Sequence, residues 1–174
     1  MTRRKKTPPV QADARPSEKN VLLELIQYDD KEYFKHADLP VTELIAHFKL
    51  NHVNWINLDG LNDHTIIQKL GDHFCLHALL IEDITTEHQP KAEEYDDYLF
   101  FTLKMLYRIE DNAIEYEQIS FVLGKDYLLS FQEKDGDLFG GLRERIRLDQ
   151  GRIRKRGADY LLYRLVDIIV DNYY

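Results

Sequence analysis

Ten consecutive residues restrict the possible folds of this chain more than any other stretch. The segment from Tyr98 to Tyr107 reads YLFFTLKMLY and is apolar at nearly every position, with several residues that favour strands. A continuous apolar run of this length is typical of a strand whose two faces are both covered. We therefore predict a sheet that carries a layer of other elements on each side, in the α/β class.

The residues before this strand predict a short helix that ends at an acidic joint. The apolar positions of the helix recur at helical spacing, and they are Leu76, Leu79, Leu80 and Ile84. Glu82 and Asp83 lie beside that stripe. Pro90 then disfavours helical dihedrals at Gln89, so the helix is expected to end before this point.

The joint itself is dense in carboxylates, which repel one another. Its acidic residues are Glu87, Glu93, Glu94, Asp96 and Asp97. Such a cluster needs water, basic partners or a hard divalent cation, which prefers oxygen ligands. From the residues alone, both a solvated surface and a cation site remain open, because magnesium ligands follow no fixed spacing.

The remaining elements complete a mixed sheet covered by helices on both sides. Predicted strands begin at Val21 and cover Lys31 to His36, Trp55 to Leu58, Tyr98 to Tyr107, Glu115 to Leu123 and Tyr127 to Gln132. Predicted helices cover Thr42 to Lys49, the segment from a cap at Asn62 or Asp63 through Phe74, Leu76 to Ile84, Leu142 to Leu148, and Gly157 to Tyr174. The fold class predicted is an α/β/α sandwich.

Length and composition indicate one domain at residues 20–174, preceded by a tail. A chain of 174 residues is long enough for one core. Residues 1–19 are basic and proline-containing and are expected to be disordered, although Arg3 to Lys6 could contact anionic lipid. Cys75 is the only cysteine, which fits a reducing compartment. No uninterrupted apolar run reaches about eighteen residues, so no membrane span is expected.

A basic stretch offers a possible nucleic-acid interface, but the pattern does not favour one. Seven positions between Arg143 and Arg156 are basic, while the whole chain has a formal net charge of −8. No aromatic residue lies among them to stack on a base. We therefore expect a solvated or ion-paired helix surface and no nucleic acid.

The final helix has two apolar sides. One stripe contains Ala158, Leu161, Leu162, Leu165, Ile168 and Ile169, and a second contains Tyr163, Val166, Val170 and Tyr174. We expect the first to pack on the sheet and the second on a further helix or subunit. Because no capping signal ends this helix, we expect it to belong to a longer one.

Four motifs carry a resemblance to a known family and together cover roughly Val21 to the end. They are WINLDGL at Trp55, LHALLIEDI at Leu76, HQPKAEEYDDYLF at His88 and RIRKRGADYLLYRLVDIIVDNYY at Arg152. In order and spacing they resemble the amino-terminal cytoplasmic domain of the CorA magnesium and cobalt channels. The family usually reads HQRPK where this chain has HQPK, so the joint is one residue shorter.

The resemblance implies a regulatory domain that contains neither the stalk nor the transmembrane pore. It implies a homopentamer at the cytoplasmic face of the inner or plasma membrane, gated by intracellular magnesium and performing no reaction. In this family regulatory cations, magnesium and possibly cobalt, bind weakly between neighbouring subunits. The positions of this chain that match those ligands are Asp83, Glu82 and Asp167.

Two alternatives accompany this reading. A zinc transporter of the same wider family would share the fold, and transport measurements would separate the two. A stand-alone metal-binding enzyme would instead use His73, Cys75, His77 and Glu82 as zinc ligands. That set requires His73 and His77 to share a helical face, yet a junction between two helices is predicted between them.

Overall fold

A computed structural model describes residues 21–108, 114–133 and 137–172 of the chain. The predicted disordered tail at residues 1–19 therefore lies outside the described residues, as do Tyr173 and Tyr174. Among the described helices, none combines the length and hydropathy that a bilayer crossing requires.

Seven strands form one mixed sheet. The strands are β1 (Leu22–Tyr28), β2 (Tyr33–Ala37), β3 (Val53–Asp59), β4 (Lys91–Glu94), β5 (Leu99–Arg108), β6 (Ile114–Leu123) and β7 (Tyr127–Gln132). Their order across the sheet is β2-β1-β3-β7-β6-β5-β4. Strands β3 and β7 pair in parallel, and the other neighbouring pairs are antiparallel.

Five α-helices cover the two faces of this sheet, and a short 3-10 helix (Ile153–Lys155) precedes the last of them. The helices are α1 (Val41–Ala46), α2 (His64–His73), α3 (Ala78–Thr85), α4 (Gly140–Arg147) and α5 (Ala158–Asp171). Helix α2 begins where the Asp63 carboxylate accepts a hydrogen bond from the Thr65 N–H, as predicted for an N-cap.

Two separate apolar clusters hold the layers together. On one face, Trp55 and Phe121 pack with the buried residues of α4 and α5. On the other face, Phe100 and Phe131 pack with the buried residues of α1, α2 and α3. Alternate residues of β1, β3, β5, β6 and β7 supply the two clusters, because successive side chains of a strand point to opposite faces. The predicted α/β/α sandwich with a mixed sheet is confirmed.

Two local predictions differ from the structure. Helix α1 ends at Ala46 instead of Lys49, because side chains of the sheet bind the backbone that follows it. Gln27 donates to the His47 carbonyl at 2.7 Å, and the Asn54 side chain bonds both the Lys49 N–H and its carbonyl. Strand β4 was missed, because a four-residue edge strand of sequence KAEE has the composition of the acidic joint.

The two apolar sides of α5 have different surroundings. Leu161, Leu165 and Ile169 are fully buried against the sheet. On the second side Tyr163 is 57% exposed and Val170 is 41% exposed, whereas Val166 is partly buried against the core. The predicted packing of this side on a further helix or subunit stays a prediction.

Candidate functional site

Helix α3 places Glu82 and Asp83 at the rim of one sheet face. Its inner positions Leu80 and Ile84 are buried, which fixes the rotation of the helix. The first turn is capped by His77, whose Nδ1 accepts a hydrogen bond from the Leu79 N–H. Glu82 is therefore exposed, whereas the Asp83 side chain is 23% exposed.

Lys91 is the basic partner of Asp83. Its Nζ donates to Asp83 Oδ2 at 2.6 Å and to Glu93 Oε1 at 3.0 Å. The hydrogen bond to Asp83 and then the one to Glu93 raise the pKa of Lys91 above its ordinary value. Lys91 thus balances two carboxylates that would otherwise repel each other. Within the described residues, Asp83 Oδ1 has no hydrogen bond.

The end of α3 is fastened to strand β6. The Gln118 side chain donates to the carbonyls of Asp83 and Thr86 at 2.9 and 3.1 Å. Its oxygen accepts a hydrogen bond from the His88 N–H at 3.1 Å. One amide therefore binds the helix end and the acidic joint together, so the position of Asp83 is determined by the sheet.

Lys104 is a second basic residue that pairs with a carboxylate of the acidic joint. Lys104 Nζ donates to Glu87 at 2.8 Å, and the Tyr116 hydroxyl donates to the same oxygen. These hydrogen bonds, from Lys104 first and Tyr116 second, lower the pKa of Glu87. Basic partners account for Asp83, Glu87 and Glu93, whereas Glu94, Asp96 and Asp97 are exposed to solvent.

Asp167 lies on the other face of the sheet. It belongs to α5, which packs with Trp55, while α3 packs with Phe100 on the opposite side. Its nearest basic group is Arg164, whose Nε lies 3.8 Å from Asp167 Oδ2. The Asp167 side chain is 43% exposed. One chain therefore does not bring Asp167 and Asp83 to a single cation, and a shared site would need two chains.

The four zinc ligands of the enzyme alternative do not form a cluster in the structure. His73 ends α2 and His77 caps α3, and both are exposed. Cys75 lies between them in a left-handed backbone conformation and is exposed as well. Among the described residues, only Asp29, Glu32 and His52 bring three potential ligand atoms within 4.8 Å of one another. No sequence motif indicated this group, because its members lie in a turn and a loop.

The basic stretch is partly engaged inside the chain. Arg143 pairs with Glu24 and Asp137, and Arg147 pairs with Glu144. Arg154 donates to the Asp29 carbonyl at 2.9 Å. These contacts agree with the predicted ion-paired helix surface.

Comparisons with known proteins place these features in a family. The sequence model of the CorA-like Mg²⁺ transporter proteins matches residues 51–174. The cobalt/magnesium transport protein CorA of Thermotoga maritima is 40% identical over 154 residues, a match that covers 87% of this chain and 44% of that protein. The putative metal ion transporter YfjQ of Bacillus subtilis is 28% identical over 121 residues, covering 69% of this chain and 36% of that protein. The chain thus spans less than half the length of these relatives.

Solved structures share the fold at low sequence identity. The soluble domain of CorA from Methanocaldococcus jannaschii has a TM-score of 0.60 at 18% identity, covering 91% of this chain and 59% of that one. The ZntB cytoplasmic domain from Vibrio parahaemolyticus has a TM-score of 0.62 at 14% identity, covering 84% and 57%. The full-length CmaX protein has a TM-score of 0.70 at 14% identity, covering 91% and 48%.

Proposed function

Because this chain belongs to the CorA family of Mg²⁺ transporter proteins, we propose that it is the regulatory domain of a magnesium and cobalt channel. It lies at the cytoplasmic face of the membrane, senses intracellular magnesium and performs no reaction. Five copies assemble through a stalk and a pore outside this chain. The 40% identity to a cobalt/magnesium transport protein over most of the chain is the observation that carries this proposal.

The sensing residue in this proposal is Asp83, assisted by Glu82. The helix end that carries them is held to β6 by Gln118, so a ligand there is presented in a defined position. Asp83 offers Oδ1 while Lys91 binds Oδ2, and Glu82 projects into solvent one residue away. Magnesium needs one or two carboxylates directly and keeps several waters. These two carboxylates make half of a site that a neighbouring subunit completes.

Asp167 is proposed to act across the same kind of subunit contact. It lies on the outer part of α5, on the opposite sheet face from Asp83. In a ring of subunits, opposite faces of one domain meet different neighbours. A carboxylate from each face can therefore contribute to an interface, although the two never meet within one chain.

Lys91 gives the proposed sensor a weak affinity. A cation that approaches Asp83 competes with an ammonium group already 2.6 Å from one oxygen. Competition of this kind lowers the apparent affinity for magnesium and suits a sensor that must release its ion. Gating requires that the cation bind the closed assembly better than the open one, since equal affinity shifts nothing.

Current recordings on the full-length channel across a magnesium titration test this assignment. Asp83→Ala should leave conduction intact and raise the magnesium concentration needed for closure. Glu43→Ala is a matched control, because Glu43 is an exposed carboxylate of α1 on the same sheet face. Unchanged inhibition in Asp83→Ala would remove Asp83 from the sensor.

The fold likeness to the ZntB domain favours a zinc transporter as the second candidate. Reconstituted full-length protein should carry magnesium and cobalt in preference to zinc. The 174-residue chain alone should conduct no ion, and flux through it would contradict the proposal that the pore lies outside it. The mass of the full-length assembly in detergent would test the five-fold stoichiometry.

A further inference from the structure

Three potential metal ligands meet at one end of the sheet, far from Asp83 in strand order. Asp29 and Glu32 belong to the turn between β1 and β2, which is closed by a hydrogen bond from the Asp29 N–H to the Glu32 carbonyl at 3.1 Å. His52 directly precedes β3. Strands β2 and β1 form one edge of the sheet, whereas Lys91, the partner of Asp83, lies in β4 at the opposite edge.

The spacing of the ligand atoms matches a tetrahedral ion. His52 Nε2 lies 3.5 Å from Asp29 Oδ2 and 3.3 Å from Glu32 Oε2. Ligand atoms about 2.0–2.2 Å from a tetrahedral metal are separated by about 3.3–3.6 Å. Both distances from His52 therefore match ligands of one tetrahedral ion, and the two carboxylate oxygens lie within 4.8 Å of each other.

Other contacts already orient two of the ligands. His52 Nδ1 lies 3.2 Å from the Leu50 carbonyl, and Nε2 lies 3.3 Å from Glu32 Oε2. In the tautomer that donates from Nδ1 to this carbonyl, the Nε2 lone pair faces the two carboxylates. Asp29 Oδ1 accepts hydrogen bonds from the backbone N–H groups of Lys31 and Glu32, so Oδ2 is the oxygen directed at His52. Metal-binding histidines and carboxylates are commonly held in this way.

The arrangement has more acceptors than donors. With Nδ1 bonded to a carbonyl, Nε2 of a neutral imidazole faces two carboxylate oxygens and repels them. Lys49 offers a partial countercharge, because its Nζ lies 3.6 Å from Glu32 Oε2 and 3.6 Å from the centre of the Phe34 ring. A proton on Nε2 or a metal ion satisfies all three groups.

We propose that Asp29, Glu32 and His52 bind a first-row transition-metal dication of the zinc or cobalt class, with water as the fourth ligand. The imidazole distinguishes this site from a magnesium site, since magnesium prefers oxygen ligands and octahedral geometry. Three protein ligands and one open position form a common zinc arrangement. The proposal is independent of the function proposed for Asp83.

The bound ion would stabilise a junction of three segments. The ligands join the β1–β2 turn to the loop before β3, and Arg154 ties the Asp29 carbonyl to the segment that leads into α5. Asp29, His52 and Arg154 line a cleft of about 520 Å³. A ligand that binds only the folded state raises the melting temperature.

Calorimetric titration of the chain with Zn²⁺, after treatment with chelator, tests the proposal. We expect one ion per chain and at least a hundredfold preference for Zn²⁺ over Mg²⁺. His52→Gln and Glu32→Gln should each weaken zinc binding at least tenfold. In the presence of chelator, Glu32→Gln should have the same melting temperature as the unmodified chain, because Glu32 is exposed.

Matched controls separate this site from other metal-binding groups. His64→Gln removes another histidine that is exposed, and Cys75→Ser removes the thiol between His73 and His77. Asp83→Ala removes the proposed magnesium ligand. All three should leave zinc affinity unchanged, and the visible spectrum of bound Co²⁺ should change only with substitutions at Asp29, Glu32 or His52. Zinc affinity unaltered in both His52→Gln and Glu32→Gln, or no one-to-one zinc binding, would overturn the proposal.

Discussion

The two faces of the sheet keep their charges in different places. On the face covered by α1, α2 and α3, ion pairs such as Lys91 with Asp83 lie at the rim, above an apolar interior. The face covered by α4 and α5 buries three carboxylates, with Glu24 3%, Asp59 5% and Glu117 2% exposed. Burying a charge is costly unless it is paired and hydrogen-bonded. The same type of substitution should therefore have unequal effects on the two faces.

A chain of hydrogen bonds organises the charged face. Trp55 Nε1 donates to Ser130 Oγ at 2.9 Å, Ser130 donates to Asn57 Oδ1, and Asn57 Nδ2 donates to Asp59 Oδ1 at 2.9 Å. Arg143 lies over the Trp55 ring at 5.4 Å and pairs with Glu24. Each member leaves another without a partner when it is removed, so the network should be sensitive to single substitutions.

The largest effect on stability should come from Arg143→Met. Arg143 Nε lies 2.5 Å from Glu24 Oε1 as an ion pair without hydrogen-bond alignment, and Lys35 alone would remain on that carboxylate at 2.9 Å. Leaving a buried charge poorly compensated should lower the free energy of unfolding by about 3–4 kcal/mol in urea titrations. Arg147→Met removes an exposed arginine of the same helix, 52% exposed, and should lower stability far less. Equal losses for the two variants would contradict the importance of burial for the pair of Arg143 with Glu24.

Asp59 should make stability fall as pH rises. Burial raises the pKa of Asp59 from 3.8 to about 6, against the smaller lowering effects of Asn57 and Arg143. Between these values the folded state binds the proton more tightly than the unfolded state, so stability present below about pH 4 is lost by about pH 6. The loss is about 3 kcal/mol at most.

Urea titrations of Asp59→Asn from pH 4 to pH 7 measure this contribution. The free energy of unfolding of the variant should change less with pH over that window than that of the unmodified chain, since asparagine carries no proton to lose. Thr42→Val, which changes an exposed residue of α1, should retain the unmodified slope. A slope in Asp59→Asn equal to that of the unmodified chain would contradict the raised pKa.

Ser130→Ala should have an intermediate effect. It leaves the buried Trp55 N–H and Asn57 carbonyl oxygen without their partner, which should cost about 1–3 kcal/mol. Thr85→Ala removes a hydroxyl bonded to the Glu82 carbonyl on the rim and should stay within about 0.5 kcal/mol. Thermal and urea unfolding of the two variants, measured together, check the difference.

The sequence predicted the elements that have a clear pattern of apolar residues and missed the features that depend on tertiary contacts. The strand prediction at Tyr98 to Tyr107 agrees with β5 within one residue, because continuous apolar runs report burial directly. The family resemblance is confirmed as well. The burial of Glu24 was not evident in the sequence, because its partners Arg143 and Lys35 come from other segments. Asp59 accepts a hydrogen bond from Asn57 of its own strand.

The candidate site was predicted in part. Spacing placed Glu82 and Asp83 together on a helix, and the structure retains that arrangement. Pairing of Asp83 with Lys91 joins a helix to an edge strand that the sequence did not reveal. The ligand role of Asp83, Glu82 and Asp167 stays a prediction. The group of Asp29, Glu32 and His52 was not predicted, since no fixed interval in the sequence relates His52 to the two carboxylates.

Lys91→Met should have a small effect on stability, under about 1 kcal/mol, because the pair lies at the rim and both side chains retain solvent contact. The same substitution should have a clear effect on magnesium response, since it removes the cation that competes for Asp83. Urea titration of Lys91→Met beside Arg143→Met therefore separates the rim from the buried network.

Magnesium titration of current through full-length Lys91→Met tests the account most directly. We expect this channel to close at a lower magnesium concentration than the unmodified one, whereas Asp83→Ala should need a higher concentration. Increased sensitivity is not an expected result of a damaged fold, so the direction is informative. In a double variant that combines Lys91→Met with Asp83→Ala, the loss of Asp83 should cancel the increased sensitivity to magnesium. Closure at an unchanged or higher magnesium concentration in Lys91→Met would contradict the proposal that magnesium and Lys91 compete for Asp83.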